Sequence, residues 1–463
     1  MENSEKIKIQ NNSFEKVDYL IKKAKDESKI KPQRSLEILK EAILIGSDID
    51  YKNGLAKAYL TAGICQRQLS NFDQAFKYYD TSLSLYHEME DTRGETRVLN
   101  SIGNVHYSLC NFDKAIENFN TCLELLVKLG DREFMAIVYA NIGLAYQEMN
   151  NLASSLASYY EALNIYKELE KPIPHSLFNN IGIVYQDIGD YSQSIEYFNK
   201  ALSLEEQDGN LNYQCSTLGN IGISYIRLGE YMNAVTFLGE AMIIARMTGN
   251  RQIEANLYSH LGVAYGIMKS FPLAIDYHMK ALKYSKELSD KSGSAKTLTQ
   301  LGKIYFDLHD YVASKKSYLE ALDIALETSD SINEVRIYLG LAELYNRFTD
   351  HQSTENYLTK ALKLAEGRNA YKELIKINEL LSECYKSKGK YELALKHLDS
   401  GKLYQKKLLE MDDELRIRNI LLHKSFQNNI YTNGSNGSGD SHLNKLKSVL
   451  SGGHSVTGLR VHA

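Results

Sequence analysis

The sequence is poor in the residues that interrupt helices and in the segments that lead to a membrane. Only four of its 463 residues are proline, and proline removes a helix hydrogen bond and clashes with the preceding turn, so this scarcity favours a mostly helical chain. No apolar run reaches the roughly 18 residues of a membrane span. The N-terminal stretch is polar and lacks the apolar core of a signal peptide. We therefore expect a cytoplasmic protein with no membrane partner.

Charge and cysteine content do not point to a functional class either. The 54 basic and 58 acidic residues leave a formal net charge of −4, which gives no support for nucleic-acid binding. The five cysteines are scattered and show no CxxC spacing, so they predict neither a disulfide framework nor a zinc site and fit a reducing compartment. The spacings of a phosphate-binding loop, a zinc protease and a catalytic triad are missing. We expect no catalytic residue, no metal and no cofactor.

The sequence is instead rich in a repeat of about 40 residues. A glycine marks the same place in each repeat, and we call it the register glycine; Ala342 and Ser382 continue its series. Aromatic residues recur three and nine positions after it, and small residues recur twelve and nineteen positions after it, which indicates two closely packed helices with aromatic side chains between repeats. The register glycines are Gly63, Gly103, Gly143, Gly182, Gly222, Gly262 and Gly302.

An acidic residue or asparagine also recurs before each next first helix, where a side chain that caps the helix N-terminus is needed. These predicted caps are Asp91, Asp131, Asn210, Asn250, Asp290 and Asp330.

These residues resemble the tetratricopeptide repeat family. The resemblance covers nine repeats over residues 56–410, and residues 14–50 resemble a divergent tenth hairpin in which Lys23 and Pro32 replace the glycine and the aromatic. It implies an all-α, right-handed superhelical solenoid of about ten helix-turn-helix hairpins. The period of about 40 residues exceeds the usual value of about 34. In this longer period the chain resembles spindle-orientation scaffolds, kinesin light chains, peptide-pheromone receptors and the sensor regions of bacterial signalling proteins.

The C-terminal end departs from the repeat. The pattern of residues 402–428 predicts one long amphipathic helix. This helix can cap the solenoid or pair two copies as a homodimer. It also resembles the helix that joins sensor regions to effector domains. Residues 432–440 read as a Gly/Ser/Asn linker, so residues 432–463 are expected to form a flexible linker and tail unless the tail occupies the groove.

The family geometry implies that the first helices line a concave groove, which is faced by positions −6, −3, −2, +1, +4 and +5 relative to the register glycine. At position −2, Asn141, Asn180 and Asn220 follow one another in successive repeats. An amide offers one acceptor and two donors, so this row can hold an extended peptide backbone, as related families do. In the other interpretation these amides bond to neighbouring helices or face water.

Further groove candidates are polar or basic side chains. The basic ones can bind acidic groups or simply be solvated. These candidates are Arg97, Asn104, Arg227, His260, Lys296, Gln300 and Arg336. We expect a non-enzymatic scaffold whose partner is a protein or an extended, acidic peptide. The alternative is a ligand-sensing regulatory module of a bacterial signal-transduction system that acts through its C-terminal helix.

Overall fold

The computed structural model describes residues 2–410 apart from residue 369, with side chains from Ser13 onward. The predicted helix beyond residue 410 and the predicted linker and tail at 432–463 lie outside the described residues. Residues 402–410 continue a helix that begins at residue 391.

Twenty helices and no strand make up the described chain. Within it, every helix is too short or too polar to cross a bilayer. The helices are α1 (Glu2–Ser28), α2 (Pro32–Asp48), α3 (Lys52–Gln68), α4 (Phe72–Glu88), α5 (Thr92–Ser108), α6 (Phe112–Leu129), α7 (Arg132–Glu148), α8 (Leu152–Glu168), α9 (His175–Ile188), α10 (Tyr191–Asp208), α11 (Leu211–Leu228), α12 (Tyr231–Thr248), α13 (Arg251–Ile267), α14 (Phe271–Glu287), α15 (Lys291–Asp307), α16 (Tyr311–Thr328), α17 (Ser331–Arg347), α18 (His351–Glu366), α19 (Tyr371–Ser387) and α20 (391–410). The predicted all-α fold of about ten hairpins is confirmed.

The chain divides into two compact units. Among the described residues the first unit comprises 2–180 and the second 181–410. In the second unit each first helix contacts the next first helix, from α11 through α13, α15 and α17 to α19. In the first unit α1, α3, α5 and α7 do the same. Each unit is therefore a stack of hairpins in which the first helices share one layer.

Most of the turns between helices share one backbone geometry. Most of the helices end in a residue of left-handed conformation, either a glycine such as Gly249 (φ 67°) or another residue such as Lys269 (φ 58°). All six predicted caps accept a hydrogen bond from the backbone N–H three residues later, at 2.8–3.5 Å. The capping prediction is confirmed.

Each register glycine lies under a side chain that stands sixteen residues later on the second helix. A Cβ on Gly103 would lie 2.4 Å from the Phe119 ring, and one on Gly302 would lie 2.8 Å from the Tyr318 ring. The missing side chain therefore lets a ring pack directly on the backbone of the first helix. The covering residues are Tyr79, Phe119, Tyr159, Phe198, Leu238, His278 and Tyr318.

The tyrosines three positions after the register glycine, which we expect to be largely buried between repeats, are buried to different degrees. Tyr185 is buried, whereas Tyr225, Tyr265 and Tyr305 are only partly buried. Several rings at this position stack on a ring of the second helix of the same hairpin; Tyr265 and Tyr277 lie 5.4 Å apart at an interplanar angle of 4°.

Candidate functional site

A cavity opens on the first helices near the end of the second unit. It has a volume of about 440 Å³ and is lined by residues of α15, α17 and α19. Its lining residues occupy positions −2, +1, +4 and +5 relative to the register residue of their helix, which are among the positions that we expect to face the groove. We call these four positions on α11, α13, α15, α17 and α19 the groove face. The cavity is lined by Lys303, Phe306, Asp307, Glu343, Asn346, Arg347 and Leu380.

The charges around this cavity are only partly neutralised. Lys376 forms an ion pair with Glu343 at 3.5 Å. Arg347 instead donates from Nε to the Tyr311 hydroxyl at 3.3 Å. Within the described residues, neither Arg347 nor Lys303 forms an ion pair with a carboxylate. Two cations of the cavity are therefore available to a ligand.

Aromatic rings support the wall of this cavity at the turn between α15 and α16. Tyr311 meets Phe306 edge-on at 5.8 Å and Phe348 edge-on at 5.1 Å. This packing restricts the Tyr311 ring, so its hydroxyl can hold the Arg347 guanidinium in one orientation.

The predicted row at position −2 continues through the second unit as Asn220, His260 and Gln300 on α11, α13 and α15. All three residues are half-buried. Burial, reinforced by the charge of Arg227, lowers the pKa of His260 to about 4, so its imidazole is neutral at pH 7. Each of these side chains lacks an intramolecular hydrogen bond among the described residues. The row therefore presents neutral donors and acceptors.

The predicted asparagines of the first unit are placed differently. The Asn141 amide donates to the Asn100 side-chain oxygen at 2.8 Å, so part of its hydrogen-bonding capacity is used between α5 and α7. Asn180 and Asn104 are half-buried, and Arg97 is exposed. Because Asn220 belongs to the second unit, a single site centred on all three predicted asparagines stays a prediction.

The predicted basic flank in the second unit is exposed. Arg227 and Lys296 lie at the surface without an ion pair in the described chain, whereas Arg336 lies 3.5 Å from the Glu373 carboxylate. Arg336 is thus partly neutralised, and the other two remain available.

Sequence reasoning missed Lys303, Phe306, Glu343, Asn346 and Leu380. The signal was present, since all five occupy positions that the family geometry assigns to the groove. Positions +1 and +4, which four of them occupy, carry no uniform residue type along the chain, so they do not stand out as a row.

His106, which is half-buried, and Cys122, which is buried, both make packing contacts. His106 packs on Phe76 with ring centroids 5.1 Å apart, and burial lowers its pKa. Cys122 is fully buried and donates to the Thr96 carbonyl. The described residues contain no group of three or more potential metal ligands.

Profiles of known families match most of the repeat region. A profile described as a tetratricopeptide repeat matches residues 95–168, 213–287 and 293–367, and a second profile of the same description matches residues 176–208. Together they cover more than half of the chain. No protein with a curated function matches the sequence.

Solved structures with a similar fold have low sequence identity to this chain. The apo form of the quorum sensor NprR from B. thuringiensis superposes with a TM-score of 0.58 at 16% identity, over 78% of this chain and 99% of that one. The signal transduction ATPase PH0952 from Pyrococcus horikoshii, which carries a tetratricopeptide repeat sensor, gives 0.51 at 16% identity, over 72% and 53%. The apo form of RapI gives 0.50 at 17% identity, over 59% and 99%.

Proposed function

We propose, since this chain belongs to the tetratricopeptide repeat family, that it binds a protein or an extended peptide through the groove face of its second unit. The role is one of binding without catalysis, in the cytoplasm. The observation that carries the proposal is the cavity of about 440 Å³ that three successive first helices line with side chains at equivalent positions.

The polar row beside this cavity supports a peptide rather than a compact ligand. Asn220, His260 and Gln300 stand on three consecutive first helices, so their unpaired groups are spread along the stack. An extended peptide presents N–H and C=O groups along its whole length and can pair with such a row. These side chains are only half-buried, so a peptide that covers them would replace water as their hydrogen-bond partner.

The test is a selection of peptides from a random displayed library on the intact protein, followed by titration of an enriched peptide. The triple variant Asn220→Ala/His260→Ala/Gln300→Ala should bind at least about tenfold more weakly, because each lost hydrogen bond is worth about 0.5–1.5 kcal/mol. A matched control changes three exposed apolar residues of second helices, Met247→Ala/Met279→Ala/Leu326→Ala, and should bind as the parent does.

Both variants must keep the helical circular dichroism and unfolding midpoint of the parent. We call Asn220→Ala/His260→Ala/Gln300→Ala the groove variant. Enrichment of peptides that bind the groove variant as tightly as the parent, or no enrichment at all, would contradict the proposal. The variant Asn141→Ala/Asn180→Ala/Asn220→Ala, titrated with the same peptide, decides whether the predicted asparagines take part.

A second candidate is a sensor that passes ligand binding to its C-terminal helix. Two structures of similar fold are described as a quorum sensor and as an ATPase with a tetratricopeptide repeat sensor, and α20 still continues at residue 410. In this case a bound peptide should change hydrogen exchange in residues 391–428. If this segment pairs two copies, sedimentation should show a dimer that deletion of residues 411–428 abolishes.

A further inference from the structure

The groove face of the second unit changes character along the stack. We infer that it binds a peptide of two parts, with apolar side chains over α11 and α13 and an acidic side chain over α15 and α17. This inference rests on the proposed function and adds the chemistry of the ligand.

The half of the groove face on α11 and α13 is apolar at its centre. Positions +1 and +4 hold Ile223 and Ile226 on α11 and Val263 and Gly266 on α13, and the three with side chains are only half-buried. Half-exposed apolar side chains at adjacent positions gain free energy when a ligand covers them.

Gly266 lacks a side chain although packing does not require a glycine there. A Cβ at Gly266 would meet Ile304 and Ala274 at 3.7–3.8 Å, which is ordinary van der Waals contact. By contrast, a Cβ at the register glycine of the same helix, Gly262, would lie 2.7 Å from the His278 ring. Gly266 is half-buried and has no side chain, so an apolar side chain of the ligand can approach the backbone of α13 there.

The half on α15 and α17 carries an excess of available positive charge. Of the two carboxylates that line the cavity, Glu343 is paired with Lys376, which leaves Asp307 to face Lys303 and Arg347. Lys296, six positions before the register glycine of α15, adds a third unpaired cation of the described chain. An acidic side chain of the ligand would satisfy charges that the protein itself leaves unpaired.

The lining also suits the stem of such an acidic side chain. Phe306 and Leu380 contribute apolar surface to the same cavity, and the Tyr311 hydroxyl orients Arg347. A guanidinium held in one orientation loses less freedom when it binds a carboxylate. Tyr311 is therefore a positioning residue for the acidic part.

The experiment is a peptide selection on the parent, on Lys303→Glu/Arg347→Glu and on Gly266→Leu, with the groove variant Asn220→Ala/His260→Ala/Gln300→Ala as counter-selection. The parent should enrich peptides with an apolar stretch beside Asp or Glu. The charge-reversed variant should enrich Lys or Arg at the acidic position and keep the apolar stretch. The Gly266→Leu variant should keep the acidic preference and bind the parent's peptides about tenfold more weakly.

Titration of one enriched peptide isolates the role of Tyr311. The variant Tyr311→Phe keeps the ring packing and loses the hydroxyl, so it should weaken the acidic peptide about threefold or more and leave the Asp→Asn or Glu→Gln version of that peptide unchanged. Raising the salt concentration should weaken the acidic version alone.

The outcomes separate the two proposals. Groove-dependent peptides that lack this pattern, or a charge-reversed variant that still selects acidic residues, would overturn the inference and leave the proposed function standing. If no peptide depends on the groove variant, the proposed function fails and the inference fails with it. Circular dichroism spectra and unfolding midpoints that match those of the parent would show that each variant is folded.

Discussion

A ring packed on a bare glycine is the recurring contact of this core. Burial of a ring such as Phe119 or Tyr318 against the helix backbone removes a large apolar area from water, and the close approach is possible only without a Cβ. Where the covering residue is Leu238, the Cβ of a substituted Gly222 would still lie 2.6 Å from it. The glycine is therefore required by its partner, although it lowers helix propensity.

Substitution of a register glycine should lower the free energy of unfolding. Gly302→Ala would place a Cβ 2.8 Å from the Tyr318 ring, and overpacking of this kind costs about 1–3 kcal/mol. The control Gly266→Ala meets ordinary contacts and should raise stability by up to about 1 kcal/mol. Urea unfolding curves of the two variants measure both effects, and equal midpoints would refute the close-packing argument.

His278 occupies the ring position above Gly262 and is fully buried. Neither of its ring nitrogens has a hydrogen-bond partner in the described chain. Burial, with a smaller contribution from His260, lowers its pKa to about 4, against about 6.5 in an unfolded chain. Above pH 6.5 both states hold a neutral imidazole. As the pH falls toward 4 the unfolded chain takes up the proton first, so stability is lost across this window.

Replacing His278 with phenylalanine should therefore stabilise the protein and reduce its acid sensitivity. We expect a gain of about 1–2 kcal/mol at pH 7, because a buried polar group without partners is removed. Part of the decline between pH 6.5 and 4 should also disappear, while His260 retains its own contribution. Unfolding midpoints at pH 7, 5.5 and 4.5 measure both effects, and a variant whose decline matches that of the parent would argue against a buried neutral imidazole.

At the scale of the helix, backbone strain lies in the turns that follow each helix. In the described part of the chain, eleven residues other than glycine adopt positive φ, among them Lys269 at 58°, and this conformation costs roughly 1 kcal/mol for a residue with a Cβ. Gly249 adopts the same conformation at 67°, with nothing near the place of a Cβ. The two turns thus differ in backbone strain, with little difference in side-chain contacts.

Exchanging these residue types should change stability in opposite directions. Lys269→Gly should stabilise by up to about 1 kcal/mol, and Gly249→Lys should destabilise by about 1–2 kcal/mol. Thermal unfolding of the two single variants checks the signs. Destabilisation by Lys269→Gly would mean that the lysine contributes contacts that outweigh the strain of its backbone.

At the scale of the molecule, each unit is held together by contacts between neighbouring hairpins. In the second unit α15 contacts α13, α14, α16 and α17, so the effect of a core substitution should stay near its own hairpin. Hydrogen exchange of Gly302→Ala should rise in α14–α17 and remain close to the parent in α11. A uniform rise over residues 181–410 would show that the unit unfolds as one cooperative body.

The repeat pattern alone was enough to predict the hairpins, the N-terminal caps and the small residues of the core. These features are local or recur every 40 residues, so a single chain displays them many times over. The partial exposure of Tyr225, Tyr265 and Tyr305 was not predictable in this way, since the exposure of a side chain depends on how neighbouring hairpins pack and the three residues occupy the same position of the repeat as the buried Tyr185.

The sequence by itself determined the fold class and the residues that cap the helices, because hydrophobic period and capping chemistry act within one hairpin. Only the tertiary structure decided which groove residues are available. Asn141 is partly used by Asn100, 41 residues away, and Glu343 is neutralised by Lys376 while Lys303 stays unpaired. These pairings join side chains on different first helices, and their geometry depends on how neighbouring hairpins pack rather than on any pattern along the chain.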